Sequence, residues 1–312
     1  SDFLSHFNAK HIGPLNWFLG MEINQNENYS INLNQTQYIQ KMCDKYIPNN
    51  NVSRVYPDPE VFKSLGKAKD DVERARVVHY KYNSVIGSIL YAAVMSRPDI
   101  AYHASVLAKF MSDPSLECCT AAIHLLQYLH STRNKKMVFS GKISVPDGMQ
   151  KHAKDITSNH GFVAYSDSSW GNEHPYPMYG YNVYLYGGLI SFASKQLKTV
   201  AFSSCEAEYA AASSACKEIA FVRNVCDDMG ITLHSRLVLG VDNTAAIDVA
   251  HDSGVSARTK HFDRAIHYLR DLTTLRHILP YFVNTNQQRA DGLTKCLNKS
   301  KFITWTSCVM QD

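Results

Sequence analysis

The chain has 312 residues, a formal charge of +4, 45% hydrophobic residues and 11% aromatics. That apolar mass can fill proper cores, so a disordered polymer is excluded and about two domains are expected. The modest positive charge permits a nucleic-acid partner without requiring one.

Eight cysteines with no CxxC pair fit neither a disulfide framework nor a zinc site, and they read as reduced thiols of an intracellular protein. The opening "SDFLSHFNAK" is polar, unlike a signal peptide. The longest apolar run, "VIGSILYAAVM" (Val85 to Met95), has 11 residues and is too short to span a bilayer. The first residue is Ser1, and the chain is expected to be a piece of a longer polypeptide.

In chain order, "LNWFLGMEI" and "YSINLNQTQYI" predict short strands around a hairpin loop, "NQNEN", with a helix over "QTQYIQKMCDKY". Residues 47–75 are rich in Pro, Asn and charge and predict a loop or extended segment. From Tyr80 to Tyr128 the apolar spacing is helical. One helix is expected to begin near Pro98, with Ser96 as its cap. Residues 1–140 therefore form one region, residues 141–160 a polar linker, and residues 161–312 a second domain.

That second domain reads as strands "FVAYS", "YGYNVYLYG" and "LISFAS", then a long helix, "CEAEYAAASSACKEIAFVRNVCDDMG". Strand "RLVLGVD", helices "NTAAIDVAH" and "TKHFDRAIHYLRDLTTL", strand "HILPYFVN" and a last helix, "QRADGLTKCL", follow. Three antiparallel strands and then alternating helices and strands predict an α+β or mixed α/β fold, a five-stranded mixed sheet with helices packed on it.

Four acids fall at telling places. Asp167 ends the first of these strands, Glu208 lies one turn into the long helix, Asp242 ends strand "RLVLGVD", and Asp291 opens the expected last helix. Taken singly, each suits a turn, a cap or a surface charge. Together they can converge on one edge of the sheet. Carboxylates so gathered call for divalent cations, and hard oxygen ligands suit Mg²⁺, with Mn²⁺ as a substitute. Two such ions can activate a water and stabilise the leaving oxygen of a phosphodiester.

The order Asp, Glu, Asp, Asp on this topology resembles ribonuclease H. The segments "YSDSSWG", "SKQLKTVAFSSCEAEYAA", "VDNTAAI", "RTKHFDRAIHYLRD" and "YFVNTNQQRADGLTK" are similar to the C-terminal ribonuclease H of copia-type retrotransposon polyproteins. Upstream, "LNWFLGMEI", "LNQTQYI", "YNSVIGSILYAAVMSRPDIAYHASVLAKFM" and "AAIHLLQYLHST" resemble the thumb and connection of the same family's reverse transcriptase. The resemblance covers nearly the whole chain. It implies Mg²⁺-dependent hydrolysis of the RNA strand of an RNA–DNA hybrid, with Asp167 bridging two ions. Glu208 and Asp242 would complete one ion site and Asp291 the other. Glu206 and Glu208 are two apart on a helix and cannot both face the site; "Glu208-Tyr209-Ala210-Ala211" fits the family pattern better. The resemblance also implies a partner, the upstream fingers and palm of the same polyprotein. It further implies an intracellular setting, a cytoplasmic virus-like particle or the nucleus. No membrane partner is expected, and without a Tyr-x-Asp-Asp box the chain should not polymerise DNA by itself.

Two departures stand out. "NTNQQRAD" carries no His before the last acid, and "EHPYPMYGY" replaces a segment usually rich in Arg, Ser and Thr. For nucleic-acid contact the candidates are Ser168, Ser204, Asn243, Arg258 and Lys260. The first three could meet the minor groove or serve as ordinary turn and cap residues. Arg258 and Lys260 belong either to a solvated helix face or to a phosphate-contacting one. The competing function is a domesticated or decayed copy that binds nucleic acid without cutting it.

Overall fold

The computed structural model describes residues 13–312 apart from 171–175, 199, 202, 234–235 and 252–262, together with residues 6, 8 and 10; for 263–267 it describes the backbone. Among the described residues, no helix is long and apolar enough to cross a membrane.

The upstream region opens with a meander of short strands, β1 (Trp17–Phe18), β2 (Met21–Gln25) and β3 (Ile31–Asn34). The expected loop between β2 and β3 is closed by Asn28 Oδ1, which accepts from the Ser30 amide at 3.1 Å. Helix α1 (Thr36–Tyr46) follows and buries Ile39, Met42 and Cys43. Residues 47–75 are largely irregular, as expected, but α2 (Asp71–Val77) begins inside them. Asp70 supplies its cap, accepting from the Glu73 amide at 2.8 Å.

Helices α3 (Tyr82–Met95), α4 (Ala101–Ala108) and α5 (Leu116–Ser131) build the upstream core. A 3-10 turn at Pro98–Ile100 leads into α4, close to the expected start. Ser96 is not its cap, however. It terminates α3, and its hydroxyl donates to Gln35 Oε1 at 2.8 Å. Beside it lies a fully buried ion pair, Arg97 Nη2 to Asp99 Oδ2 at 2.7 Å. Tyr128 Oη donates to the same carboxylate at 2.6 Å, and Arg97 also donates to Thr132 Oγ1 at 2.7 Å. Buried charge is tolerated because each group has its partners.

Strand β4 (Met137–Phe139) returns to pair antiparallel with β3. The stretch expected as a polar linker then forms a 3-10 turn at Gln150–His152 and a short helix, α6 (Ala153–Ser158). Met149 and Ile156 are both fully buried. They join a core that also holds Ile39, Leu125, Tyr165 and Phe302, so apolar packing runs without a break from the upstream helices into the second sheet. Two well-placed apolar side chains anchor a segment whose overall composition is polar.

The second sheet contains β5 (Val163–Ser169), β6 (Met178–Leu185), β7 (Gly188–Gln196), β8 (Leu237–Val241) and β9 (Ile278–Phe282). Its order is β7-β6-β5-β8-β9. Pairs β5–β6 and β6–β7 are antiparallel, while β5–β8 and β8–β9 are parallel. The parallel pairs need crossovers. Helix α7 (Ser204–Asp228) lies between β7 and β8 in the chain, and α8 (Thr244–His251) and α9 (Asp263–Thr274) lie between β8 and β9. Residues 259–262, the expected start of α9, lie outside the described residues.

Central strand β5 feeds two cores by alternation: Val163 and Tyr165 enter the core shared with the upstream helices, and Ala164, with Phe162 just before the strand, the core under α7. The expected last helix, "QRADGLTKCL", is not an α-helix. It contains the end of a tight path through 3-10 turns at Thr285–Gln287 and Asp291–Leu293. The final helix is α10 (Lys299–Val309), capped by Asn298 Oδ1 accepting from the Lys301 amide at 3.0 Å. Trp305 of α10 lies so close to Gly292 that an added Cβ would sit 2.4 Å from its ring.

Candidate active site

The site forms where β5 and β8 end and α7 begins, on one edge of the sheet. Alternation along β5 sends Asp167 to the face of Tyr165 and Ser168 to the opposite face, toward α7. There the Ser168 amide and hydroxyl both donate to Glu208 Oε1, at 3.0 and 2.9 Å. Ser203 caps α7 by accepting from the Glu206 amide at 3.2 Å, which fixes the start of the helix and so the direction of Glu208. Asp242 follows β8 directly, and its Oδ2 accepts from Thr285 Oγ1 at 3.2 Å. Carboxylate oxygens of Asp167, Glu208 and Asp242 all lie within 4.8 Å of one another.

The fourth acid approaches from the other side. Asp291 is buried, and its Oδ1 stands 2.7 Å from Lys295 Nζ. The same ammonium is 3.7 Å from Asp167 Oδ2. The loop carrying these groups is pinned to β5: Gln288 Nε2 donates to the Ser166 carbonyl at 3.0 Å, and Thr294 Oγ1 donates to Asp167 Oδ2. Gly180 lies opposite Asp167 in the β5–β6 register. A Cβ there would fall 2.5 Å from Leu293 Cβ, so the glycine lets the loop lie directly against the strand.

Electrostatics follow from this crowding. Burial pushes the Asp167 carboxyl well above its usual range; Lys295 and Thr294 pull it back, while Asp291 and Asp242 push it further up. Burial, then Asp167 and Asp242, raise Glu208, against the Ser168 hydrogen bonds. Lys295 loses by burial, but Asp167 and Asp291 outweigh that loss and hold its ammonium above the ordinary lysine range.

Of the expected site residues, the structure thus gathers Asp167, Glu208 and Asp242 into one cluster and sets Asp291 beside them on the Lys295 ammonium. Glu206 is absent from the cluster. Ser168 serves Glu208, Asn243 caps α8 by accepting from the Ala246 amide at 3.1 Å, and Ser204 is the exposed first residue of α7. Arg258 and Lys260 lie outside the described residues. Three residues escaped sequence reasoning: Thr294, Lys295 and Gln288. All three sit in "QQRADGLTK", yet only the acid there carried a signal, because a Gln, a Thr or a Lys in a loop has no distinguishing pattern.

The donor set fits divalent cations. Glu208 Oε2 is buried with no hydrogen-bond partner, an orphaned acceptor inside a cluster of like charges. Native proteins rarely leave such an atom unsatisfied, and a hard cation is the ligand that satisfies carboxylate oxygens without adding a proton. A cavity of about 330 Å³ adjoins Asp291, lined also by Gln288, Arg289, Lys301 and Trp305, but it does not reach the three-acid cluster.

A sheet in this order, with carboxylates gathered at the ends of β5 and β8 and at the start of α7, defines a ribonuclease H-like domain. Over 96% of its length the chain is homologous to Pol polyproteins of copia-type transposons. It is 29% identical over 307 residues to the retrovirus-related Pol polyprotein from transposon TNT 1-94 of Nicotiana tabacum, covering 96% of this chain and 22% of that one. It is 30% identical over 310 residues to the Pol polyprotein from transposon RE1 of Arabidopsis thaliana, covering 96% of this chain and 19% of that one. The chain therefore spans about a fifth of the length of these relatives. Among solved structures, LC11-RNase H1 in complex with an RNA/DNA hybrid is similar over 43% of this chain and 93% of that one, with 12% identity and a TM-score of 0.34. No protein-family model matches the chain.

Proposed function

We propose that residues 161–312 hydrolyse the RNA strand of an RNA–DNA hybrid, leaving 3′-hydroxyl and 5′-phosphate ends. The upstream region serves the polymerase part of the same polyprotein. The observation that carries this reading is the convergence of Asp167, Glu208 and Asp242 within 4.8 Å, with a buried oxygen of Glu208 unsatisfied. Asp167, Glu208 and Asp242 would hold one divalent ion, and Asp167 with Asp291 a second, Mg²⁺ or Mn²⁺ in each case. Bound there, such ions would lower the pKa of a water and steady charge on the departing oxygen.

The chain's own residues do the positioning. Ser168 fixes one oxygen of Glu208 and leaves the other for a ligand. Thr294 holds the Asp167 carboxylate, and Gln288 fixes the Asp291 loop to β5. Because the acids are placed before any substrate arrives, little reorganisation remains at the moment of reaction.

The test is cleavage of end-labelled RNA in a hybrid, with Mg²⁺ and then with EDTA. Asp167→Asn is expected to lose at least about 1000-fold in rate, roughly 4 kcal/mol of barrier, while still binding hybrid. Equal cleavage by wild type and variant removes Asp167 from the mechanism. Wild-type binding with no cleavage in Mg²⁺ or Mn²⁺ identifies a nucleic-acid binder instead.

A further inference from the structure

The structure divides the four acids unevenly. Asp167, Glu208 and Asp242 face one another as a cluster of carboxylates, whereas Asp291 is 2.7 Å from Lys295 Nζ, and that ammonium is also 3.7 Å from Asp167 Oδ2. We propose that Lys295 is an internal counter-cation for the second ion site: its ammonium stands between Asp167 and Asp291, and a divalent ion can bridge those two acids only by displacing it. The inference rests on the reading of the acids as metal ligands.

Three features of the loop support it. Lys295 lies two residues past the tight turn Asp291–Leu293, and its side chain folds back so that the ammonium meets Asp291 Oδ1 at 2.7 Å. Thr294, the residue between the turn and the lysine, is fully buried and donates to Asp167, so the lysine backbone is fixed while its side chain stays movable. That side chain is 36% exposed, against 2% for Asp167 and 8% for Asp291. A long flexible stem that is partly exposed while its ammonium meets buried acids has a path to swing out. A single positive charge between two carboxylates also relieves their repulsion when no metal is bound.

Two consequences follow. The three-acid site takes its ion without displacing the ammonium, whereas the Asp167–Asp291 site must exchange one cation for another. The two ions therefore bind with unequal affinity, and Lys295 sets the gap. Lysine also gives the metal-free protein an order that it would otherwise lack, because two buried anions side by side destabilise a fold.

The experiment titrates Mn²⁺ alone, without nucleic acid, into wild type, Lys295→Met and Lys295→Gln. Free ion is counted by its electron paramagnetic resonance signal, and folding is checked by circular dichroism. Met matches the length of the stem without the charge, and Gln keeps a donor if Met fails to fold. The expected result is that wild type shows one tighter and one weaker ion, and that either neutral variant tightens the weaker one at least tenfold. The metal-free variants should also melt below wild type and gain more in melting temperature from Mg²⁺. Identical isotherms for wild type and both variants overturn the lysine proposal while leaving the metal reading intact. If no protein binds Mn²⁺, both fall. Because the probe is the metal alone, a lysine that served only to contact phosphate would leave these isotherms unchanged.

Discussion

Thr294 Oγ1 donates a hydrogen bond to Asp167 Oδ2 across 127 residues of sequence. The central strand of the sheet presents the acid, and the last loop before α10 holds it. Thr294→Val keeps the shape and removes the donor. We expect kcat to fall about 10- to 100-fold, roughly 1.4–2.7 kcal/mol, with KM for hybrid little changed and most activity regained by Thr294→Ser. A Val variant cleaving at the wild-type rate would show that this hydrogen bond does not orient the acid.

Glu206 and Glu208 are both largely buried near the start of α7, but only Glu208 belongs to the three-acid cluster. Glu208→Gln should therefore reduce cleavage at least about 100-fold, some 2.7 kcal/mol. Glu206→Gln should cost less than about tenfold. Steady-state rates on the same hybrid decide between them, and the reverse ranking would exchange their roles.

Gly180 sits where a side chain would strike the last loop: a Cβ added there would lie 2.5 Å from Leu293 Cβ and 3.2 Å from Thr294 Cγ2. Gly180→Ala should destabilise the fold by about 1–3 kcal/mol and lower activity by moving Thr294 away from Asp167. Adding Leu293→Gly, which removes the Cβ that the new methyl would strike, should restore part of both losses, because the two positions share one space. Strict additivity in urea melts would mean that the loop is not held by this contact.

The Arg97–Asp99 pair is fully buried and 2.7 Å apart. Asp99→Asn leaves the guanidinium without its countercharge, and we expect a loss of about 3–5 kcal/mol. Since one core links upstream helices to the second sheet, probes in both regions should report the same shifted transition. Separate transitions for fluorescence and for cleavage activity would show that the two regions unfold independently.

Burial pushes His103 down to about 3, with Asp99 opposing and His124 adding to the shift. The unfolded chain binds a proton near the ordinary histidine value of about 6.5, where the folded chain does not. The stability from keeping this ring neutral is therefore present above that pH and is lost as pH falls toward 3. By pH 4.5 the loss should reach roughly 2–3 kcal/mol at 1.36 kcal/mol per unit. Denaturant melts of wild type and His103→Gln between pH 7 and 4.5 check this: the variant, though less stable, should show a shallower slope.

Much of this protein is written in local pattern. Alternation marked the strands of the second sheet and helical spacing marked α1, α3, α5 and α7, because each depends on residues a few positions apart; Asp167, Glu208 and Asp242 were marked by their order along the chain and by the resemblance that this order carries. The tertiary structure alone decided the rest. It made Ser96 a helix terminus, turned "QRADGLTKCL" into a tight path under Trp305, buried Met149 and Ile156 within a polar stretch, and brought Thr294 and Lys295 onto Asp167. Those outcomes rest on contacts between distant segments. A threonine or lysine acquires its role only from the carboxylate that the fold sets beside it.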